Sequence, residues 1–565
     1  MRQELVDRLI TDKNLPSIEE IEKRYPKRDL PKGAMVTRIA PSPTGFMHIG
    51  TVYMGMLSKK MAVQSNGVFI LRIEDTDQKR EIEGARSIID FYLREYSILT
   101  KLDEHPAIIS KINKEKHLLE ENGKYGPYIQ SQRGDIYKAY IKDMLTKDLA
   151  YPCFCSSEDL DNLRTMQKKD DIRTGYYGHY AKCRNLTEEE IIEKLDAGLS
   201  CVIRFKSTGR HSEKILIEDL VRGKRNLSDN DFDIPILKGD GLPSYHFAHL
   251  IDDYLMGTTH VLRGDEWFSS LPLHLQLFKT MGWEAPAYAH VSPIEKMDGD
   301  SRRKLSKRKD PESSVTYYDE EGYPSEAVLE YLMNLANSDF ESWRKQNPTL
   351  PLDDFELKLN KLNKSGALFD FDKLNHVSQN YISRLTKEDV YNKLKNWSRE
   401  NNPNLFTRLN GHKDTEYILD IINIERENTN KPRKDIIKWA DAWKSIGYFF
   451  DDEFNLTKEQ ALELLPNLNE EEIKNIVTDF VKDYDKNIAK EKQEWFEDFK
   501  LLAEKHNFAI NGKEFQANPD KFKGLMADFA KIFRVLLTGS IQSPDLYYTM
   551  KCMGEERVFN RLKIM

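Results

Sequence analysis

Long apolar runs are missing from this chain of 565 residues. None approaches the roughly 18 residues needed to cross a bilayer, so no membrane partner is expected. The opening stretch MRQELVDRLI has neither the cationic nor the apolar region of a signal peptide, and a cytoplasmic location is expected. Cysteine is scarce, with five residues at 153, 155, 183, 201 and 552. An odd number without regular spacing argues against a disulfide framework. Basic excess is missing too: 85 Lys and Arg stand against 93 Asp and Glu, a net charge of −8. That balance disfavours a uniformly basic nucleic-acid binder but leaves room for local basic faces. No internal repeat or low-complexity tract appears. What remains, 39% hydrophobic and 32% charged residues, describes a soluble globular protein, too long for one core, with three to five domains expected.

Residues 1–33 are polar and interrupted by Pro16, Pro26 and Pro31, and read as a short helical appendage. MVTRIA (35–40) alternates like a strand and runs into the turn Pro41-Ser-Pro-Thr-Gly45. Ile49 to Gln64 has helical spacing; Val68 to Ile73 is a second apolar run ending in Glu74-Asp-Thr-Asp77, with a helix to about Tyr96 after it. This β-α-β-α order predicts a parallel sheet with its functional loops at the carboxyl ends of the strands. The α/β unit is expected over 34–115 and 247–295. Residues 116–246, with a strand at Cys201–Phe205 and turns at Lys238–Gly241, are expected as an α+β insertion. Beyond about 325 the periodicity is helical, as in a recognition module or a stabilising helical domain.

Chemistry concentrates at a few places. His48-Ile-Gly-Thr51 sits at a predicted helix start, where unpaired N–H groups and the helix dipole favour phosphate, where Gly45 and Gly50 permit close backbone approach, and where His48 can donate a hydrogen bond. Far along the chain, Ser301-Arg-Arg-Lys-Leu-Ser-Lys-Arg-Lys309 supplies a basic loop able to close over the same phosphates. Cys153, Cys155 and Cys183 can give three thiolates to tetrahedral zinc, with Tyr180 or His179 as the fourth ligand. Cys201 and Cys552 read as core packing.

The stretches RIAPSPTGFMHIG, FILRIEDTD, YGPYIQSQR, YPCFC, GLPSYHFAHLIDDYLMGTTHVLRGDEW and RKLSKR, in this order over 38–308, resemble the class I aminoacyl-tRNA synthetases, specifically bacterial-type glutamyl-tRNA synthetases. SGALFDFDKL and the ending PDLYYTMKCMGEERVFNRL carry the resemblance into the tail. It implies a Rossmann-like catalytic domain, an inserted acceptor-binding domain, an all-α stem-contact domain over 296–385 carrying the basic loop, and all-α anticodon-binding domains over 386–565, in a monomer. It implies ATP with Mg2+, glutamate and tRNA(Glu) as partners, with tRNA(Gln) as a second tRNA if the enzyme is of the non-discriminating kind. ATP would meet Thr44, Gly45, His48, Gly50, Thr51, Lys304, Ser306 and Lys307, with His48, Lys304 and Lys307 countering charge on the phosphates. Glutamate brings two carboxylates and one ammonium, so its pocket needs two cations and an anion. Arg38, Arg263 and Glu74 fit that inventory, and the resemblance adds Ser42 and Tyr245; which arginine takes the side-chain carboxylate stays open. Tyr125-Gly-Pro-Tyr128 and Gln130–Arg133 either receive the tRNA acceptor end or pack as an aromatic turn. Thr51 stands where many class I enzymes have His, and Leu305 where Met is common. The spacing before Cys183 also departs from the common Tyr-x-x-x-Cys. Glutaminyl-tRNA synthetases, which usually read Pro-Glu-Pro-Asn-Gly and end in β-barrels, shortened glutamyl-queuosine-type enzymes without the tail, and a catalytically silent RNA-binding relative are the alternatives.

Overall fold

The computed structural model describes residues 1–106, 108–110, 117–119, 121–306, 308–411, 415–427, 429–482 and 489–565. The α/β portion is built around β1 (Val36–Ile39), which is buried along its whole length, as a central strand of a parallel sheet must be. After the Pro/Gly turn comes α1 (Ile49–Gln64), then β2 (Val68–Leu71), parallel to β1 with Val36 opposite Val68 and Ile39 opposite Leu71. The long helix α1 is apolar on nearly every face; even Lys60 is buried, its Nζ reaching the Asp353 carbonyl at 2.9 Å. A helix without a polar side has to lie inside the domain.

The chain returns to this sheet with α2 (Tyr245–Leu255), β3 (His260–Gly264) and β4 (Ala287–Val291). β3 and β4 pair in parallel. They join β1 through the Thr259 N–H, which donates to Val36 O at 3.0 Å, while Ala287 N–H donates to Thr259 O at 2.9 Å. On the far side of β2 the Glu104 N–H donates to Phe69 O, and Ile73 N–H donates to Tyr128 O. β1 therefore sits where the strand order reverses, which puts the ligand crevice at its carboxyl end. The sheet also recruits residues from the stretch expected to be an insertion: the hairpin Lys214–Asp219/Gly223–Ser228 joins β4 at Asp219 opposite Tyr288.

Other parts of that stretch form an antiparallel sheet of Ala150–Cys153, Val202–Phe205 and Pro235–Leu237. Tyr125, Tyr128, Gln130 and Arg133 are buried. Gln130 Nε2 and Arg133 Nε donate to Asp252 at 2.8 and 2.7 Å, so these side chains pack the interior rather than face an acceptor end. The N-terminal segment is not an appendage either. Its helices Gln3–Leu9 and Ile18–Arg24 place Val6, Ile10, Ile21 and Tyr25 in the same apolar core as Val36 and Ile70.

The stretch expected as a helical stem-contact domain begins with strands. β5 (Ile294–Asp298) and β6 (Ser301–Lys304) form an antiparallel hairpin, and Ala367–Leu368 adds to β5. The chain divides into two compact units, residues 1–317 with 332–370, and residues 318–331 with 371–565. Among the described residues, the regular elements of the second unit are helices apart from the short pair Phe508–Ala509 and Gly524–Leu525. Its core runs from Ile382 to Leu562.

Candidate active site

The loops after β1, β2, β3 and β4 line a cleft of about 830 Å³. His48 caps α1: its Nδ1 accepts from Gly50 N–H at 2.8 Å. In the neutral ring the proton therefore sits on Nε2, which makes His48 a donor. A Cβ on Gly50 would stand 2.9 Å from His48 Nδ1, so this cap needs a small residue there. Gly45, with φ of +145°, makes the turn that brings the strand end to the helix start. Thr44, His48, Gly50 and Thr51 line the cleft; Gly45 and Ser306 stand outside its lining.

Lys304, the last residue of β6, faces the same cleft, its Nζ donating to Glu266 Oε1 at 2.7 Å. Behind it Asp310 organises the basic loop. It receives Arg303 Nη1 and Nη2 at 2.5 and 2.9 Å and the Ser306 N–H at 2.9 Å, and Arg303 holds its carboxyl well below the usual carboxylate range. Lys307 lies outside the described residues.

The other end of the cleft carries Arg38, Ser42, Glu74, Tyr245 and Arg263. Beneath them lies a buried ion network that the motifs did not announce. Arg72, fully buried, meets Asp253 at 2.6 Å, Glu74 at 3.0 Å and Asp252 at 3.7 Å; Arg133 pairs with Asp252 at 2.7 Å, and Arg38 with Asp253 at 3.4 Å. Three cations thus face three anions. Burial raises the Glu74 carboxyl above its ordinary value, against the pull of Arg72 and Arg38. Tyr245 is pushed up to about 12, chiefly by burial and then by Glu74, so its hydroxyl stays protonated.

Arg263 is different. It is 5% exposed, and its hydrogen bonds run to His290 Nε2, His274 Nδ1 and the Trp267 carbonyl at 2.9, 3.0 and 3.2 Å. Among the described residues it has no ion pair. Burial lowers its pKa, and Arg38 adds repulsion.

Cys153, Cys155 and Cys183 come together, their sulfurs within 4.8 Å of one another. His179 is exposed, its ring tilted at 42° to that of Tyr180 with centroids 3.8 Å apart, and it is not grouped with the three sulfurs. Tyr176 stands beside the sulfurs: its hydroxyl lies 3.5 and 3.4 Å from Cys153 and Cys155 Sγ and accepts from the Cys183 N–H at 3.0 Å. Between them the turn at Gly178, with φ of +52°, folds the chain back so that a tyrosine seven positions before Cys183 reaches it. Trp267, Lys238 and Glu266 also line the cleft and were not singled out from sequence. Two of them lie in the quoted stretch GDEW, which was the available signal.

A parallel sheet of this order, with its cleft at the carboxyl ends of the central strands, is the architecture of the class I aminoacyl-tRNA synthetases. Residues 34–376 match the family described as tRNA synthetases class I (E and Q), catalytic domain, and residues 389–565 match an anticodon binding domain. The chain is 47% identical to a glutamate–tRNA ligase of Clostridium perfringens, over 96% of each chain. With one of Fusobacterium nucleatum it shares 35%, over 93% of this chain and 96% of that one. The crystal structure of a glutamate–tRNA ligase from Elizabethkingia meningosepticum in complex with its amino acid superposes with a TM-score of 0.72 at 28% identity, covering 94% of this chain and 98% of that one. The chain belongs to the glutamate–tRNA ligase family.

Proposed function

We propose that this enzyme joins glutamate to tRNA(Glu) in two ATP-dependent steps, and that the cleft residues divide the work as follows. An α-carboxylate oxygen of glutamate attacks the α-phosphorus of ATP; pyrophosphate leaves and glutamyl-adenylate remains. The 2′-hydroxyl of the tRNA's terminal adenosine then attacks the anhydride carbonyl, and AMP leaves. The α1 N-terminus, the His48 Nε2 donor and Lys304 counter charge on the phosphates, positioning rather than reacting. Lys304 must leave Glu266 to do so. Magnesium travels with ATP on phosphate oxygens and water.

The observation that carries the amino-acid assignment is Arg263. A buried guanidinium with neutral partners needs an anion, and the side-chain carboxylate of glutamate supplies it in a bidentate fork. Arg38 flanks it, Tyr245 donates, and Glu74 with Ser42 receives the ammonium. Glutamine would leave Arg263 uncompensated. ATP–pyrophosphate exchange with tRNA(Glu) present should proceed with glutamate and not with glutamine. Equal rates with the two amino acids would refute the assignment.

The sulfur group fits zinc. A tetrahedral ion with Zn–S of about 2.3 Å spaces its thiolates about 3.8 Å apart, and Cys155 and Cys183 Sγ stand at 3.7 Å. The Tyr176 hydroxyl, about 3.4–3.5 Å from two sulfurs, matches the sulfur–oxygen edge of the same tetrahedron. Zinc held by Cys153, Cys155, Cys183 and Tyr176 would tie this knuckle together without entering the reaction.

A further inference from the structure

The guanidinium of Arg263 can only donate, so each imidazole nitrogen facing it must present a lone pair. That requirement fixes three histidines. His290 accepts through Nε2, hence carries its proton on Nδ1, which lies 2.7 Å from Asp219 Oδ2. His274 accepts through Nδ1, hence carries its proton on Nε2, which lies 2.9 Å from His246 Nδ1. His246 in turn keeps its proton on Nε2.

Asp219 cannot turn away. Its Oδ1 accepts from the Val221 and Arg222 N–H groups at 2.9 and 2.8 Å, and Oδ2 also accepts from the His290 N–H at 3.1 Å. The remaining neighbours of Arg263 confirm how its charge is directed. The Tyr288 ring lies under the guanidinium, 4.9 Å from its carbon. His249 is held between Tyr288 and Asp253, at 3.1 and 3.0 Å. Arg38 acts on it by repulsion, and Tyr245 adds an acceptor. Of five N–H bonds, three run to the two imidazoles and the Trp267 carbonyl, which leaves one on each terminal nitrogen, with the Tyr245 hydroxyl beside them as an acceptor that a carboxylate would displace.

We propose that Asp219 and His290 are positioning residues for amino-acid selection, which, with the His274–His246 pair, orient Arg263 so that its two remaining N–H groups meet a carboxylate. This rests on the glutamate reading above. The neutral imidazoles fix the guanidinium without cancelling its charge, and the substrate must bring the anion. Asp219 acts one imidazole away: it selects the His290 tautomer without pairing with Arg263 itself. With Asn at 219, the amide can donate to Nδ1, which places an Nε2 proton against Arg263 Nε–H.

The test is exchange kinetics of the full chain with tRNA(Glu), fitted separately for glutamate and ATP. His290→Leu removes the acceptor and should raise the glutamate KM about tenfold or more, with the ATP KM unchanged within about twofold. His290→Gln keeps an oxygen at the Nε2 position and should restore the glutamate KM to within about threefold. Asp219→Asn should resemble His290→Leu. A folded His290→Leu enzyme with an unchanged glutamate KM would overturn the proposal. Should that variant fail to fold, the histidine ¹⁵N spectrum of the unsubstituted protein decides, with His290 assigned from His290→Gln. An Nδ1–H tautomer is expected, and an Nε2–H tautomer overturns it. An unsubstituted enzyme that does not activate glutamate would sink the substrate reading instead, and the tautomer measurement would still stand.

Discussion

Arg38 and Arg263 are the same residue type in the same cleft, yet one has a carboxylate beside it and the other has imidazoles. Arg263 should therefore carry more of the discrimination. Lys is not an equivalent there, because a point charge cannot form the fork: Arg263→Lys should raise the glutamate KM by about tenfold or more without admitting glutamine. Arg38→Ala should raise the glutamate KM or abolish adenylation, and unchanged glutamate kinetics would remove Arg38 from the pocket. The histidines beside them also set a pH dependence of stability. Burial, with Arg263 adding to it, holds His246 at about 4; burial, against the pull of Asp253, holds His249 at about 4. The unfolded chain takes up these protons near 6.5, so between those values it binds more protons than the folded chain, and stability falls as pH falls. Each histidine costs roughly 3 kcal/mol by pH 4. Glu74, raised by burial, binds its proton earlier in the folded state and offsets part of the loss. Urea midpoints should drop steadily from pH 6.5 to 4.5, with a shallower slope in His246→Gln; a flat profile would contradict the burial of neutral rings.

Among the elements, the β5–β6 hairpin carries Lys304 into the cleft, and its shape depends on Asp310. That carboxylate ties Arg303 on β6 to the Ser306 N–H two residues beyond the strand. Asp310→Ala should loosen the segment carrying Lys304 and raise the ATP KM about tenfold, while glutamate KM stays within about twofold; the reverse pattern would detach the hairpin from the nucleotide. How far such elements could be read from sequence depended on how local their causes are. The strand at 36–39, the turn at Gly45 and the helix Ile49–Gln64 follow from alternation, a breaker, and helical spacing with few breakers. Arg72, Asp252 and Asp253 escaped notice because their meaning lies in one another, with 181 positions between Arg72 and Asp253. The two N-terminal helices read as an appendage because only a few apolar residues, Val6, Ile10 and Ile21 among them, carry their attachment. Tyr176 was passed over because counting back from Cys183 cannot see a chain reversal at Gly178. In each case the missing information was tertiary.

For the whole molecule, two compact units with separate cores predict two unfolding events rather than one. Cysteine placement makes them distinguishable. Cys153, Cys155, Cys183 and Cys201 belong to the first unit, Cys552 to the second, where it packs partly buried against the helical core. If zinc ties Cys153, Cys155, Cys183 and Tyr176 together, its binding energy counts as folding energy of the first unit alone. Protein purified without chelator should hold close to one zinc per chain. Removing it should lower the temperature at which Cys153, Cys155 and Cys183 become reactive to a thiol reagent, and should leave the temperature for Cys552 where it was. Calorimetry run in parallel should show one transition moving and one standing still. Metal content far below one per chain would remove the zinc, and a chelator that shifted both transitions together would mean that the two units unfold as one.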